Sequence, residues 1–200
     1  MPTVCCVMSC VSSPSGRLAC PRCRRPVSHC LCAHVRILSN RTRVIVLQHP
    51  DEARHPLNTA RLAVLGLADA ELHVGLSFPS SLWEDEESWL LFPPEAGHAG
   101  TAAPGARPRR LIVPDGTWRQ ARRLVRTHPG LAALPRLPLP PGRGSRYTVR
   151  RACFESALAT IEAIAAALDT LDAPARHDAL LAPFTALVEG QLAAARGAAG

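Results

Sequence analysis

Short apolar runs alternate with longer amphipathic segments through most of the chain. Residues 43–48 (RVIVLQ) form a β-branched run typical of a buried strand, which ends at His49-Pro50 because proline cannot donate a ladder hydrogen bond. Asn58 or Thr59 is placed to cap a helix in the segment ARLAVLGL. Further short strands are predicted at residues 72–76, 90–92 and 111–113.

Helical spacing characterises three longer segments. Residues 118–128 have apolar positions on one side of a helix, and residues 178–196 predict an amphipathic helix that packs on the sheet. Residues 156–171 predict a mostly apolar helix interrupted by Thr160 and Glu162, so one of these two is expected to face solvent or a partner. Strands that alternate with helices indicate an α/β fold.

The charge of the chain indicates what kind of partner it binds. The 200 residues carry a formal net charge of +7, and all 23 basic residues are arginine. A positive excess favours a polyanionic partner, and guanidinium groups bind phosphate through two parallel hydrogen bonds. Acids, arginines or prolines interrupt every stretch that approaches the length of a membrane helix. We therefore expect one domain with a small module and no membrane association.

Four of the eight cysteines are closely spaced. They form C-x2-C followed six residues later by C-x-C, at Cys20, Cys23, Cys30 and Cys32. Thiolates at this spacing can converge on one tetrahedral Zn²⁺ and close a knuckle too short to build its own core. The alternatives are disulfides, or a site in which His29 or His34 replaces one thiolate.

The ends of the knuckle define the predicted domain organisation. Residues 1–17 lack the basic segment and cleavage site of a secretory signal, so we expect a flexible tail and a cytoplasmic protein. The zinc knuckle spans residues 18–36, and the main domain spans residues 40–200. Arginines around the cysteines predict a basic knob, formed by Arg17, Arg22, Arg24, Arg25 and Arg36.

A candidate site follows the strand at 111–113. The sequence continues as Pro114-Asp115-Gly116-Thr117-Trp118, a strand, a glycine turn and a capped helix. Ligands of open α/β sheets bind at the carboxyl ends of strands, where Asp115 is predicted to lie. We expect Asp115 to be a carboxylate in a surface turn; an ordinary capping aspartate is the alternative.

The predicted helix 118–128 carries a stripe of arginines. At about 100° per residue, Arg119, Arg122, Arg123 and Arg126 share one side, and Trp118, Ala121, Leu124 and Val125 occupy the other. The apolar side is expected in the core. Four like charges on one face repel each other unless anions lie between them, so we predict that the stripe binds RNA phosphates.

Taken in order, the motifs resemble those of the DTW-domain proteins. They are the cysteine pattern, Leu47-Gln48-His49-Pro50 with Glu52 and Thr59, Asp115-Gly116-Thr117-Trp118, Ser145-x-Tyr147-x-x-Arg150 and Thr160-x-Glu162-Ala163. The resemblance covers about residues 18–190. Its most specific element is the D-x-T-W tetrapeptide in combination with the cysteine knuckle.

The resemblance implies a tRNA-uridine aminocarboxypropyltransferase. Such an enzyme moves the 3-amino-3-carboxypropyl group of S-adenosylmethionine to N3 of a tRNA uridine and releases methylthioadenosine. The implied fold is SPOUT-like, an α/β sheet flanked by helices with a C-terminal trefoil knot. S-adenosylmethionine and a structural Zn²⁺ are the expected cofactors, tRNA is the expected partner, and we expect a monomer.

The resemblance also implies roles for the matching residues. Asp115 is the expected general base or orienting acceptor for uridine N3–H, Thr117 holds its turn, and Trp118 anchors the helix or borders the pocket. Arg150 is expected to pair with the cofactor's carboxylate. Other expected contacts to the cofactor are Gln48, His49, Pro50, Asp115, Gly116, Ser145, Tyr147 and Thr160.

Three other functions are compatible with the sequence. A SPOUT-type RNA methyltransferase uses the same cofactor, a related aminocarboxypropyltransferase acts on ribosomal RNA, and a zinc-knuckle protein can bind RNA without catalysis. Product mass separates the first, and failure to bind S-adenosylmethionine favours the last.

Overall fold

A computed structural model describes residues 11–12, 18–84, 87–94, 106–138 and 158–197. Within these ranges the chain forms a parallel sheet covered on both faces by helices, which confirms the predicted α/β class. No helix in the described ranges has the length and apolar character needed to cross a membrane. The predicted trefoil knot stays a prediction, because residues 139–157 lie outside the described ranges.

The main sheet has four parallel strands in the order β4-β3-β6-β5. Their bounds are β3 Arg43–Gln48, β4 Ala70–Val74, β5 Ser88–Leu90 and β6 Arg110–Asp115. A separate antiparallel pair joins β1 (Val11–Ser12) to β2 (Leu18–Ala19).

Two strands start and end two residues earlier than the predicted ranges 72–76 and 90–92. The polar residues Glu71 and Ser88 join the ladders in β4 and β5. Ladder bonds use backbone groups, so a polar side chain can enter a strand that the apolar pattern does not mark.

Six α-helices accompany the strands in the described ranges. They are α1 Pro50–Ala53, α2 Ala60–Leu65, α3 Trp118–Thr127, α4 Pro129–Ala132, α5 Thr160–Leu171 and α6 Ala182–Gly197. Asn58 supplies the capping bond of α2, since its Oδ1 accepts the N–H of Arg61 at 3.3 Å.

The two C-terminal helices differ from their predicted bounds. α5 begins at Thr160 rather than at residue 156, because the Glu162 carboxylate accepts the N–H of Ala159 at 2.9 Å and closes the helix start. The predicted helix 178–196 is a 3-10 turn, Asp178–Leu181, followed by α6. Pro183 falls in the first turn of α6, where its missing N–H is tolerated.

Both faces of the sheet are buried. Val44, Val46 and Leu111 pack on one face with α2, α5 and α6, while Ile45 and Ile112 pack on the other face with α3. A strand buried on both faces reads as a continuous apolar run, as residues 43–48 do.

The connections of the sheet reverse direction between β3 and β6. From β3 the chain turns to β4 on one side, whereas after β6 it passes to the far side of β5, where Arg136 pairs in parallel with Leu90. Neighbouring strands whose connections diverge in this way leave a crevice at their carboxyl ends, and open α/β sheets bind ligands there.

Asp172, which follows the end of α5, joins that helix to the segment before β3. Its side chain is 1% exposed and accepts the N–H of Arg41 at 2.8 Å and the hydroxyl of Thr42 at 2.8 Å. Hydrogen bonds to a buried carboxylate are stronger than those between neutral groups.

We predict that Asp172→Asn lowers the free energy of unfolding by about 2–3 kcal/mol, because the amide leaves donors on Arg41 and Thr42 poorly satisfied. The exposed Asp178 is the matched control, and Asp178→Asn is expected to change stability by less than about 0.5 kcal/mol. Urea denaturation of both variants measures the difference. Equal stabilities would contradict an anchoring role for Asp172.

Candidate active site and zinc knuckle

Asp115 lies at the crevice between β3 and β6. It is the last residue of β6 and stands in register with Gln48, the last residue of β3. Its carbonyl also accepts the N–H of His49 at 2.9 Å. The D-x-T-W motif therefore meets the Gln48-His49-Pro50 segment where the topology predicts a ligand site.

The Asp115 carboxylate is held from two sides. Gln48 Nε2 donates to Oδ2 at 2.6 Å, and the Thr160 hydroxyl donates to Oδ1. Asp115 is 5% exposed, so the expectation of a surface turn is wrong. The reason is that β6 extends through Asp115, which places the side chain between β3 and the first turn of α5.

Gln48 is itself part of a buried network. Its side chain is fully buried, and its Oε1 accepts from Asn58 Nδ2 at 3.2 Å. The sequence alone marks Asn58 only as a helix cap, because spacing along the chain does not show that the loop before α2 returns to the end of β3.

Gly116 and Thr117 shape the turn after Asp115. Gly116 has φ +155°, and a Cβ atom there would lie 3.3 Å from the Cβ of His49, so the turn favours glycine. Thr117 caps α3, with its Oγ1 accepting the N–H of Gln120 at 3.3 Å. The Gln120 amide reaches His49 Nδ1 at 3.1 Å. His49 is the N-cap of α1, whose first residue is Pro50, so His49 joins the start of α1 to the turn after Asp115.

Trp118 is the first residue of α3, three residues after Asp115, and its side chain is exposed. It is 46% exposed and makes an edge contact with Phe92 at a ring distance of 5.7 Å. The expectation that it shares the buried side of α3 with Ala121 and Leu124 is therefore wrong. As the first residue of α3, Trp118 extends past the apolar layer that buries the later turns.

The arginine stripe of α3 is exposed to solvent. Arg119, Arg122, Arg123 and Arg126 are all exposed, and none forms an ion pair with an acid in the described part of the chain. The Arg122 guanidinium lies 6.0 Å from the centre of the Trp118 ring, so the stripe begins beside Trp118.

The remaining predicted contacts divide into two groups. Thr160 is brought to Asp115 by the start of α5. Ser145, Tyr147 and Arg150 lie outside the described residues.

The four knuckle cysteines converge on one point. Their Sγ atoms all lie within 4.8 Å of one another, with Cys20 and Cys32 at 3.6 Å and Cys23 and Cys30 at 3.8 Å. These separations are too long for disulfide bonds, and this cluster contains no histidine. Four sulfur ligands at this spacing fit a structural Zn²⁺.

The thiols differ in how readily they ionise without metal. Burial is the largest single influence on Cys20 and opposes its ionisation, but hydrogen bonds with the backbone N–H groups of Cys23 and Arg22 and with the thiols of Cys30 and Cys32 together lower the pKa of Cys20 to about 7. Burial raises the pKa of Cys23 and that of Cys32. Zn²⁺ must therefore displace protons from the last two thiols when it binds.

The knuckle packs into the main domain. Cys20, Cys23 and Leu31 belong to the same buried cluster as Val44 of β3. Arg25 donates to the carbonyl of Pro56 at 2.7 Å and to that of Asn58 at 3.1 Å, so it faces the loop before α2. Of the arginines predicted to form a basic knob, Arg22, Arg24 and Arg36 are exposed.

The fold and the site define an α/β protein with a buried carboxylate at the switch point of a parallel sheet and a four-cysteine knuckle packed against it. This chain belongs to the DTW domain family, whose model matches residues 17–192.

Several characterised proteins are similar to the chain. A protein of Drosophila melanogaster, tRNA-uridine aminocarboxypropyltransferase 2, is 29% identical over 90% of this chain and 77% of its own length. Its namesake from Mus musculus is 30% identical over 91% of this chain and 66% of its own length. tRNA-uridine aminocarboxypropyltransferase A of Arabidopsis thaliana is 28% identical over 55% of this chain and 51% of its own length. No solved structure matches the chain.

We predict that Cys23→Ser removes bound zinc and destabilises the protein. Thiolate-bound Zn²⁺ contributes about 10 kcal/mol of binding free energy to a folded knuckle, so the thermal midpoint should fall by about 10 °C or more. Lowering the pH below the pKa of about 7 of Cys20 should also weaken binding, because protons then compete for its thiolate.

Elemental analysis and calorimetry of purified protein check both effects. Cys5→Ser is the control, since Cys5 lies outside the four-cysteine motif. Wild-type protein that holds no zinc yet melts at the same temperature as Cys23→Ser would contradict the assignment.

Proposed function

We propose that this protein is a tRNA-uridine aminocarboxypropyltransferase. It transfers the 3-amino-3-carboxypropyl group of S-adenosylmethionine to N3 of a tRNA uridine and releases methylthioadenosine. The observation that carries the proposal is the D-x-T-W carboxylate, Asp115, held by Gln48 and Thr160 at the switch point of the sheet. The names of the relatives support the same activity.

Positioning decides which carbon of the donor reacts. S-adenosylmethionine supplies three electrophilic carbons beside its sulfonium, and the one aligned with the nucleophile at about 3–3.5 Å reacts. In this transfer uridine N3 forms the new bond to the γ-carbon, the bond from that carbon to sulfur breaks with its electron pair left on the sulfur of methylthioadenosine, and the N3 proton is released to water. The protein must therefore hold N3 and its proton beside the donor.

Asp115 is suited to orient that proton. Donors from Gln48 and Thr160 favour the ionised carboxylate, which makes it a good acceptor for N3–H and a weak base. We assign it the role of orienting acceptor.

Trp118 supplies a surface for the target base. N3 lies on the Watson–Crick edge, so the uridine must be unpaired or flipped out before it can reach Asp115. Trp118 is the first residue of α3, which follows the turn after Asp115, and its ring is exposed. Stacking of a base on an aromatic side chain is worth about 1–3 kcal/mol. Trp118 therefore borders the base-binding side of the site.

The tRNA backbone is bound by the stripe on α3. Beginning next to Trp118, the exposed face of α3 carries Arg119, Arg122, Arg123 and Arg126. Bound phosphates would offset the mutual repulsion of these four charges. Asp115, Gln48 and Thr160 come from a single chain, which supports an active monomer. We propose a cytoplasmic monomer that carries Zn²⁺ in its knuckle.

We predict that Asp115→Asn lowers the rate of transfer to tRNA at least about 100-fold, because the neutral amide no longer stabilises the developing charge at the reacting base. The isosteric change is preferable to alanine, since Asp115 is buried and alanine would leave Gln48 and Thr160 without their acceptor. Nucleoside analysis of tRNA digests measures the rate.

Asp178→Asn serves as the matched control for this variant. Asp178 is an exposed aspartate in the 3-10 turn before α6, outside the site, and its replacement should leave the rate within about twofold. If folded Asp115→Asn modifies tRNA at the wild-type rate, Asp115 is only a structural residue and the proposed role fails.

We also predict a specific salt dependence of tRNA binding. Replacing Arg122 or Arg126 by Gln should weaken binding and reduce the slope of log K against log salt by about one per lost phosphate contact. Arg196→Gln, at the far end of α6, should leave the slope unchanged. Filter binding over a range of salt concentrations measures it, and unchanged slopes for both stripe variants would exclude α3 from the tRNA interface.

A further inference from the structure

We infer that Asn58 is a positioning residue that fixes the Gln48 amide with its NH2 group toward Asp115. Asn58 does not contact Asp115 in the described structure; it acts through Gln48. The structural part of this inference stands on hydrogen bonds alone, and its effect on catalysis rests on the proposed function.

Backbone groups determine which way the Asn58 amide points. Asn58 Oδ1 accepts the N–H of Arg61 at 3.3 Å, and Asn58 Nδ2 donates to the carbonyl of Glu52 at 3.1 Å. A backbone N–H can only donate and a carbonyl can only accept. The reversed amide would place two donors together at Arg61 and two acceptors together at Glu52.

The orientation of the Asn58 amide then fixes the orientation of the Gln48 amide. Because the NH2 group of Asn58 points at Gln48, the oxygen of the Gln48 amide must face Asn58, at 3.2 Å. The NH2 group of Gln48 consequently faces Asp115 Oδ2, at 2.6 Å. Gln48 is fully buried, so a reversed amide would leave polar atoms without partners and is disfavoured.

The direction of this chain matters for the charge on Asp115. An NH2 group beside a carboxylate favours its ionised form, whereas an amide oxygen in the same place favours the protonated acid. The Thr160 hydroxyl donates to the other carboxylate oxygen and favours the ionised form in either case, so the Gln48 amide is the contact that Asn58 can change. Asn58 therefore influences the protonation of Asp115 through two hydrogen bonds, in addition to the other contacts of that carboxylate.

The zinc knuckle supports the same residue. Arg25 donates to the Asn58 carbonyl at 3.1 Å and to that of Pro56 at 2.7 Å, and Asn58 is 8% exposed. The knuckle thus braces the loop that orients Gln48. This contact gives the knuckle a part in the geometry of the site besides its own folding.

Asn58→Ser is the variant that tests the inference. A serine hydroxyl can still accept the N–H of Arg61 and cap α2, but it lacks the second donor that fixes Gln48. Asn40→Ser is the matched control, because the Asn40 amide also donates to two carbonyls, Thr42 and Asp69 at 2.8 Å each, and accepts a backbone N–H, but it lies before β3, at the opposite end of the strand from Gln48. Asn58→Thr is the second variant if the serine variant does not fold, because threonine also keeps a capping hydroxyl and lacks the amide donors.

The first readout does not depend on catalysis. In protein labelled with ¹³C at aspartate carboxyl carbons, the Asp115 signal is assigned by its loss in Asp115→Asn. Its protonation midpoint should rise by about one pH unit or more in Asn58→Ser relative to wild type, and by less than about 0.3 in Asn40→Ser. An unchanged midpoint in both Asn58 variants would overturn the inference.

The second readout is the pH profile of tRNA modification. The acidic limb of kcat should move to higher pH by the same amount in Asn58→Ser, with KM for tRNA within about twofold of wild type. A midpoint that moves in a protein without transferase activity supports the positioning role and refutes the proposed function. If Asn58→Ser is active and neither the protonation midpoint of Asp115 nor the acidic limb of kcat moves, the positioning role is refuted and the proposed function is unaffected.

Discussion

The hydrogen bond between Gln48 and Asp115 is the contact on which the site depends. It joins the last residues of β3 and β6, the two strands whose connections diverge, and so spans the crevice where an open α/β sheet binds ligands. Both side chains are buried, so neither can turn away without leaving a polar group unsatisfied. The carboxylate is thereby fixed in place and favoured in its ionised form.

The other parts of the molecule converge on this pair. α5 brings Thr160 to the second carboxylate oxygen, and the turn at Gly116 begins α3 with its exposed Trp118 and arginine stripe. The knuckle reaches the same place through Arg25 and Asn58. A buried polar network of this kind is stable only when every member is paired, which explains why distant segments of the chain meet there.

Sequence predicts the local features of this arrangement better than the contacts across it. The apolar run at 43–48, the cap at Thr117 and the spacing of the cysteines depend on near neighbours, and the structure has a strand, a capped helix and a sulfur cluster there. The burial of Asp115 and the exposure of Trp118 depend on where β6 ends relative to its neighbours. The link through Asn58 depends on a loop that returns to the end of β3, and no periodicity records that return.

The most direct test of the proposed activity measures which atoms of S-adenosylmethionine become bound to tRNA. Wild-type protein is incubated with unmodified tRNA and S-adenosylmethionine labelled either in its carboxyl group or in its methyl group. The account predicts that the carboxyl label becomes bound to a uridine in tRNA and that the methyl label leaves with methylthioadenosine. Transfer of the methyl label, or of neither label by zinc-loaded protein, would contradict it.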